Sequence, residues 1–111
     1  MADFLYVFRG SGFQQLSPEQ MQKHMQAWGT WIGELSNRGQ FKGGDPLEPA
    51  GKQVKGKKKI VVDGPFAEAK DLIGGYLLVT ADSLDAAVEL ARGCPSLDLD
   101  GTVEVRPIRK M

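Results

Sequence analysis

The sequence predicts an α+β fold: a split βαβ sandwich, one antiparallel sheet with two helices on a single face and a β-hairpin inserted midway. Three observations carry this expectation. Two short runs, Phe4 to Phe8 and Tyr76 to Thr80, are aromatic and β-branched in the manner of strands. A long segment after Ser17-Pro18 carries apolar residues at spacings of three and four. With the middle hairpin set aside, the remaining elements run strand, helix, strand, strand, helix, strand. The chain has 111 residues, enough for a single two-layer core and one domain.

The first strand, Phe4-Leu5-Tyr6-Val7-Phe8, ends at Arg9-Gly10-Ser11-Gly12 and reads as a central strand buried on both faces. Ser17 is the expected N-cap of the first helix, with Pro18 at its first position and Gln20 completing a capping box. Met21, Met25, Trp28, Ile32 and Leu35 form the expected buried seam, closed near Gly39. A short strand is expected from Phe41 to Gly44, then a loop where Pro46 and Pro49 break regular structure. Gln53-Val54 and Ile60-Val61-Val62 flank Lys55-Gly56-Lys57-Lys58-Lys59 as a hairpin with a glycine turn and a charged rim. Ala67 to Leu72 is expected to make one helical turn before the strand Tyr76 to Thr80. Asp82 or Ser83 caps the second helix, whose inner face is Leu84, Ala87, Val88 and Ala91 and whose end is set by Gly93 and Pro95. Thr102 to Pro107 alternates as a half-exposed last strand. The order is the ferredoxin-like one, and it leaves one face of the sheet without helices. Strands this apolar predict that a second copy covers that face, making a homodimer.

Composition narrows the function classes. Apolar residues are 41% and charged residues 25% of the chain, and 14 basic residues balance 14 acidic ones. Zero net charge argues against a dedicated nucleic-acid binder. No run is long enough to span a bilayer, so no membrane association is expected. The segment Met1-Ala2-Asp3-Phe4-Leu5 lacks the features of a secretory signal, which points to the cytoplasm. Cys94 is the only cysteine and His24 the only histidine, so one chain holds no disulfide and no Cys/His metal centre, and no cofactor is assigned. Gly10-Ser11-Gly12 and Gly74-Gly75 fit neither a P-loop nor a dinucleotide fingerprint.

Asp63-Gly64-Pro65-Phe66-Ala67-Glu68-Ala69-Lys70 followed by Ile73-Gly74-Gly75-Tyr76 resembles the signature of the DGPF branch of the YCII-related family. The resemblance extends through Gly43-Gly44, Leu47-Glu48-Pro49, Gly93-Cys94-Pro95 and Val103 to Pro107. It implies a dimeric α/β-barrel of ferredoxin-like halves in a bacterial setting, with no settled activity. Related sequences are often labelled as transcription-initiation proteins or stand beside genes for extracytoplasmic-function sigma factors. Some members pair a histidine on the first helix with an aspartate. Aligned on Gly39, this chain has Trp28 at that histidine's position and His24 one turn earlier, so only Asp63 carries over as a motif position.

The candidate catalytic residues are Asp63 and His24, and the candidate ligand-binding residues are Trp28, Gly29, Gly33, Glu68, Lys70 and Tyr76. Asp63 is expected first to cap the Pro65 turn through the N–H groups of Phe66 or Ala67, and second to act as a base or to orient a ligand. His24 falls one residue before Met25, off the expected seam, as a partly exposed side chain able to titrate near neutrality. Trp28 and Trp31 are large enough to line a pocket or fill the core. Gly29 and Gly33 each cost about 1 kcal/mol inside a helix, which suggests close approach of a strand or ligand to that face. Cys94 before Pro95 reads as a small buried residue. The lysines of the hairpin offer salt-sensitive attraction without stacking aromatics, so no specific nucleic acid is expected. Two readings follow. One is a dimer-dependent small-molecule site, enzyme-like or ligand-sensing, between the first helix, the sheet and the Asp63 loop. The other is a non-catalytic regulatory or interaction module linked to transcription.

Overall fold

The computed structural model describes residues 1–10, 16–48, 50–64 and 72–111. Along the chain lie β1 (Ala2–Arg9), α1 (Pro18–Asn37), β2 (Phe41–Pro46), β3 (Gly51–Lys55), β4 (Ile60–Gly64), β5 (Ile73–Ala81), α2 (Leu84–Ala91), a 3-10 helix (Pro95–Leu99) and β6 (Thr102–Pro107). Four strands form one sheet in the order β2-β5-β1-β6, every pairing antiparallel, while β3 and β4 form a separate two-stranded ribbon. This is the α+β arrangement that the strand and helix order requires, with the ribbon emerging where β2 ends and β5 begins. The expected helical turn at 67–72 lies, but for Leu72, outside the described residues.

Both helices rest on the same face of the sheet. Phe4, Tyr6 and Phe8 of β1 and Leu77, Val79 and Ala81 of β5 meet Trp31 and Leu35 of α1 and Ala87 and Ala91 of α2 in one buried core. Each large side chain fully removed from water contributes about 1.5 to 3 kcal/mol. Tyr6 is stacked on Trp31 with ring centroids 6.1 Å apart, and its hydroxyl donates to the Ala87 carbonyl, so one side chain of the central strand ties both helices down.

Local sequence accounts for the element ends. Ser17 Oγ accepts from the Gln20 backbone N–H at 3.1 Å and Gln20 Oε1 accepts from the Ser17 N–H at 2.9 Å, the reciprocal box expected for α1. Ser83, and not Asp82, caps α2 by accepting from the Ala86 N–H. The 3-10 helix begins with Pro95 at its first turn, directly after Cys94. Gly44 has φ +149° beside β5, and a Cβ there would lie 2.7 Å from Leu77 Cα and against the Tyr76 carbonyl oxygen. No residue with a side chain fits this crossing.

Four expectations are corrected. The first is the inner face of α2, where Ala87 and Ala91 are buried but Leu84 and Val88 are exposed along the groove beside β6. The second is the seam of α1. Met25 is 55% exposed, whereas Trp28, Ile32 and Leu35 of the expected seam do face the core, joined there by Trp31, with His24 half-buried one turn before Trp28, so the buried stripe is rotated toward Trp31 and His24. Trp31 decides the rotation: it stacks on Tyr6 and its Nε1 donates to the Leu90 carbonyl at 3.1 Å, a partner that sequence spacing does not reveal. The third is Gly29 and Gly33, where an added Cβ would meet nothing within 4 Å. Among the described residues no strand approaches them, and close packing there does not explain these glycines. The fourth is the depth of β1. Phe4, Tyr6 and Phe8 are buried, but Leu5 and Val7 on the opposite face are only half-buried.

That opposite face is an apolar strip inside a charged frame. Leu5, Val7 and Leu78 form its centre, with Leu5 directly opposite Leu78 and Val7 opposite Tyr76. Lys42 pairs with Asp3 at 3.2 Å, Arg9 and Arg106 both pair with Glu104 at 3.1 Å, and the Tyr76 hydroxyl donates to Asp45 at 3.1 Å. The Arg106 and Arg9 hydrogen bonds hold the Glu104 carboxyl below its ordinary range, and the bond to Asp45 raises the Tyr76 hydroxyl.

Candidate functional site

The N-terminal half of α1 brings a titratable group onto an aromatic wall. His24 and Trp28 are one turn apart on the inward stripe, and the Trp28 Nε1–H donates to His24 Nε2 at 2.9 Å. Trp28 meets Phe8 edge-to-face at 5.0 Å and Trp31 at 5.5 Å, so the wall continues from the end of β1 into the core. Burial lowers the His24 pKa, and the Asp98 carboxylate of the 3-10 helix opposes that shift. An imidazolium has no lone pair to accept from an indole, so protonation would also break the Trp28 bond. His24 therefore stands as a neutral acceptor at neutral pH, with its basic nitrogen held by a side chain that a stronger donor can displace.

The other expected site residues are dispersed. Asp63 lies on β4, 82% exposed, and its described partner is Lys52 of β3 at 3.1 Å. Its cap on Phe66 or Ala67 falls outside the described residues, as do Glu68 and Lys70. Tyr76 belongs to the open face of the sheet, whereas Trp28 packs on Phe8 from the helix side, so the two cannot line one cleft within a chain. Gly29 and Gly33 border open space on α1 beside Trp28 and Ile32. Cys94 is buried with Sγ 3.1 Å from Ser96 Oγ, and burial raises its thiol pKa, as suits an inert core residue. Among the described residues no group of three or more His, Cys, Asp or Glu is placed to hold a metal ion, and no helix is long and apolar enough to cross a membrane.

Asp98 is the member that sequence reasoning missed. The available signal was Pro95 followed by an acid three residues on, a helical start whose first turn favours a carboxylate. Two grooves lie on the helix-bearing side. One of 190 Å³ runs between α1 and α2, and Trp31 and Gly93 contribute to its lining; one of 410 Å³ lies along α2 and β6, lined by Leu84, Val88, Leu97, Val103 and Val105 together with Asp85. Gly93 marks where the Trp31 ring comes so near the α2 terminus that a Cβ would lie 3.0 Å from it.

The fold and the histidine-bearing aromatic wall define a small α+β domain with helices on one face of its sheet. The chain belongs to the YCII-related family, whose domain matches residues 6–111. It is 44% identical over 50 residues to the uncharacterized protein R00369 of Rhizobium meliloti (strain 1021), a stretch that covers 44% of this chain and 40% of that relative. Among solved structures it is similar to 5-chloro-2-hydroxyhydroquinone dehydrochlorinase (TftG) from Burkholderia phenoliruptrix AC1100, determined in complex with 2,5-dihydroxybenzoquinone. That similarity has 14% sequence identity, covers 97% of this chain and 95% of the other, and has a TM-score of 0.49.

Proposed function

We propose that this DGPF-branch chain binds a small molecule against the wall of Phe8, Trp28 and His24, in an enzyme-like or ligand-sensing role, and that it does so as a homodimer. The observation that carries the reading is the Trp28 Nε1 to His24 Nε2 hydrogen bond. Indole N–H is a weak competitor for an imidazole lone pair, so an acidic hydroxyl on an apolar or aromatic ligand displaces it and gains the rings as a platform. A ligand proton transferred to Nε2 would leave an imidazolium facing Asp98, which favours the charged form. The apolar strip Leu5, Val7 and Leu78 supports the homodimer, since its charged frame is already paired and a second copy need desolvate only its centre. Asp63, Glu68, Lys70 and Tyr76 remain proposed contributors from the motif region or from a second copy, and Gly29 and Gly33 from α1 beside Trp28.

The test is a screen of small phenols, enols and carboxylic acids read by tryptophan emission, with His24→Gln and Trp28→Phe beside the native chain. Binding that His24→Gln weakens at least tenfold while the melt is unchanged supports the site. Ligands that bind all three proteins equally, or none that bind at all, would favour the interaction-module reading. Sedimentation at micromolar concentration tests the dimer, and a monomer there refutes it.

A further inference from the structure

We propose that the β3–β4 ribbon is an exchanged arm that docks on a second copy of this chain, in the groove between α2 and β6. The ribbon's free-standing geometry is the first observation. Val54, Ile60 and Val61 are 67%, 56% and 58% exposed although they are β-branched strand residues, and Val54 lies directly opposite Val61. A two-stranded hairpin is marginal in water unless it packs on something. The Cα radius of gyration is 15.4 Å, against about 13 Å for a compact domain of this length, as a projecting ribbon requires.

Charge selects the occupant. Residues 51–64 contain five lysines and one aspartate, a net charge of +4. The whole chain is neutral, so the rest of it carries −4. Ribbon against ribbon is repelled, whereas ribbon against the body of another copy is attracted. Lys52 is paired with Asp63, while Lys55, Lys57, Lys58 and Lys59 form no ion pair among the described residues.

The groove supplies the matching surface. It holds 410 Å³, exposes Leu84, Val88 and Leu97 over Val103 and Val105, and has Asp85 on its wall with Asp82 at the head of α2. Asp82 and Asp85 form no ion pair among the described residues, whereas Arg92, which also lines the groove, is already paired with Glu89 at 3.2 Å. The open strip on the other face of the sheet has no such excess, since its acids and bases are matched. The ribbon leaves the sheet beside β2, and the groove borders β6 at the opposite edge, so two copies can exchange arms reciprocally.

The experiment uses the full chain and sedimentation equilibrium at low salt. Lys57→Glu/Lys58→Glu/Lys59→Glu should weaken self-association roughly tenfold or more, and adding Asp82→Lys/Asp85→Lys should restore most of it. A double-cysteine chain, Val54→Cys with Val88→Cys, should form a disulfide between copies under mild oxidation. The arm is overturned if the lysine reversal shifts self-association less than twofold, if the paired reversal does not rescue, or if the native chain is monomeric. It is also overturned if the lysine variant loses only binding to random duplex DNA or anionic vesicles. Loss of self-association in Leu5→Asp with lysine variants unaffected would leave the sheet-face dimer standing and remove the arm alone.

Discussion

Tyr6→Phe isolates one hydroxyl at the junction of the sheet and both helices. Tyr6 is fully buried, and its hydroxyl donates to the Ala87 carbonyl in α2, while the ring stacks on Trp31. Phenylalanine keeps the ring and removes the bond, which should cost about 1 to 2 kcal/mol near neutral pH. For a domain of this length each kcal/mol lowers the melting temperature by about 4 °C, so the expected fall is roughly 4 to 8 °C. The pH dependence supplies the sharper test. Burial pushes the Tyr6 hydroxyl from 10.0 to about 12, with Cys94 adding to the rise. A group whose folded pKa is raised contributes stability in full below its unfolded pKa and loses it as pH climbs to the folded value. That rise corresponds to about 3 kcal/mol, lost by the native chain between pH 10 and 12 and not by the variant. The stability curves of the two proteins should therefore cross near pH 11. Denaturant melts followed by tryptophan emission at several alkaline pH values measure the difference, in which every other titration cancels. A variant equal to the native chain at pH 7, or a constant gap up to pH 12, would refute the packing and the hydrogen bond together.

His24 has a lowered pKa, so its contribution is complete above the unfolded value near 6.5 and declines as pH falls toward the folded one. His24→Gln should flatten that part of the melt profile between pH 5 and 7, and a native chain whose Trp28 emission ignores this range would contradict the bond to Nε2. Gly44→Ala, placing a Cβ against the Tyr76 carbonyl oxygen at φ +149°, should cost about 3 kcal/mol or more and reduce soluble yield; an unchanged melt would show that β2 and β5 are spaced otherwise. Asp63→Ala and Asp63→Asn should each change stability by less than about 0.5 kcal/mol, because the Lys52 pair is exposed. A larger loss for alanine that asparagine repairs would instead establish a cap on the motif loop.

Much of the fold was legible because its signals are local. Ser17, Pro18 and Gln20 specify the start of α1 through groups within one turn, and the alternation in Thr102 to Pro107 needs only the pleat. The rotation of α1 was not legible, since Met21, Met25, Trp28 and Trp31 offer two overlapping stripes. The choice rests on a carbonyl of Leu90, 59 residues away. The same limit scattered the candidate site. Tyr76 and Trp28 are both aromatic and both near glycines, but strand parity places one on each side of the sheet. An inward Met25 would place His24 at the margin of the helix face, and it is the Trp31 contact that brings His24 round.

The position of β1 has a consequence for biosynthesis. It precedes the other strands of this domain in chain order, yet both of its neighbours come from the far half of the domain: Phe4 pairs with Val79 on one side and with Pro107 on the other. While α1 and the ribbon emerge from the ribosome, the segment Phe4 to Phe8 has no strand beside it. Its completion waits for β6, so the domain closes in a late, concerted step that should make it slow to form and dependent on protection of its leading strand. A nascent chain arrested before residue 102 would expose that strand's edge to any other unpaired strand, including the same segment on a neighbouring polysome.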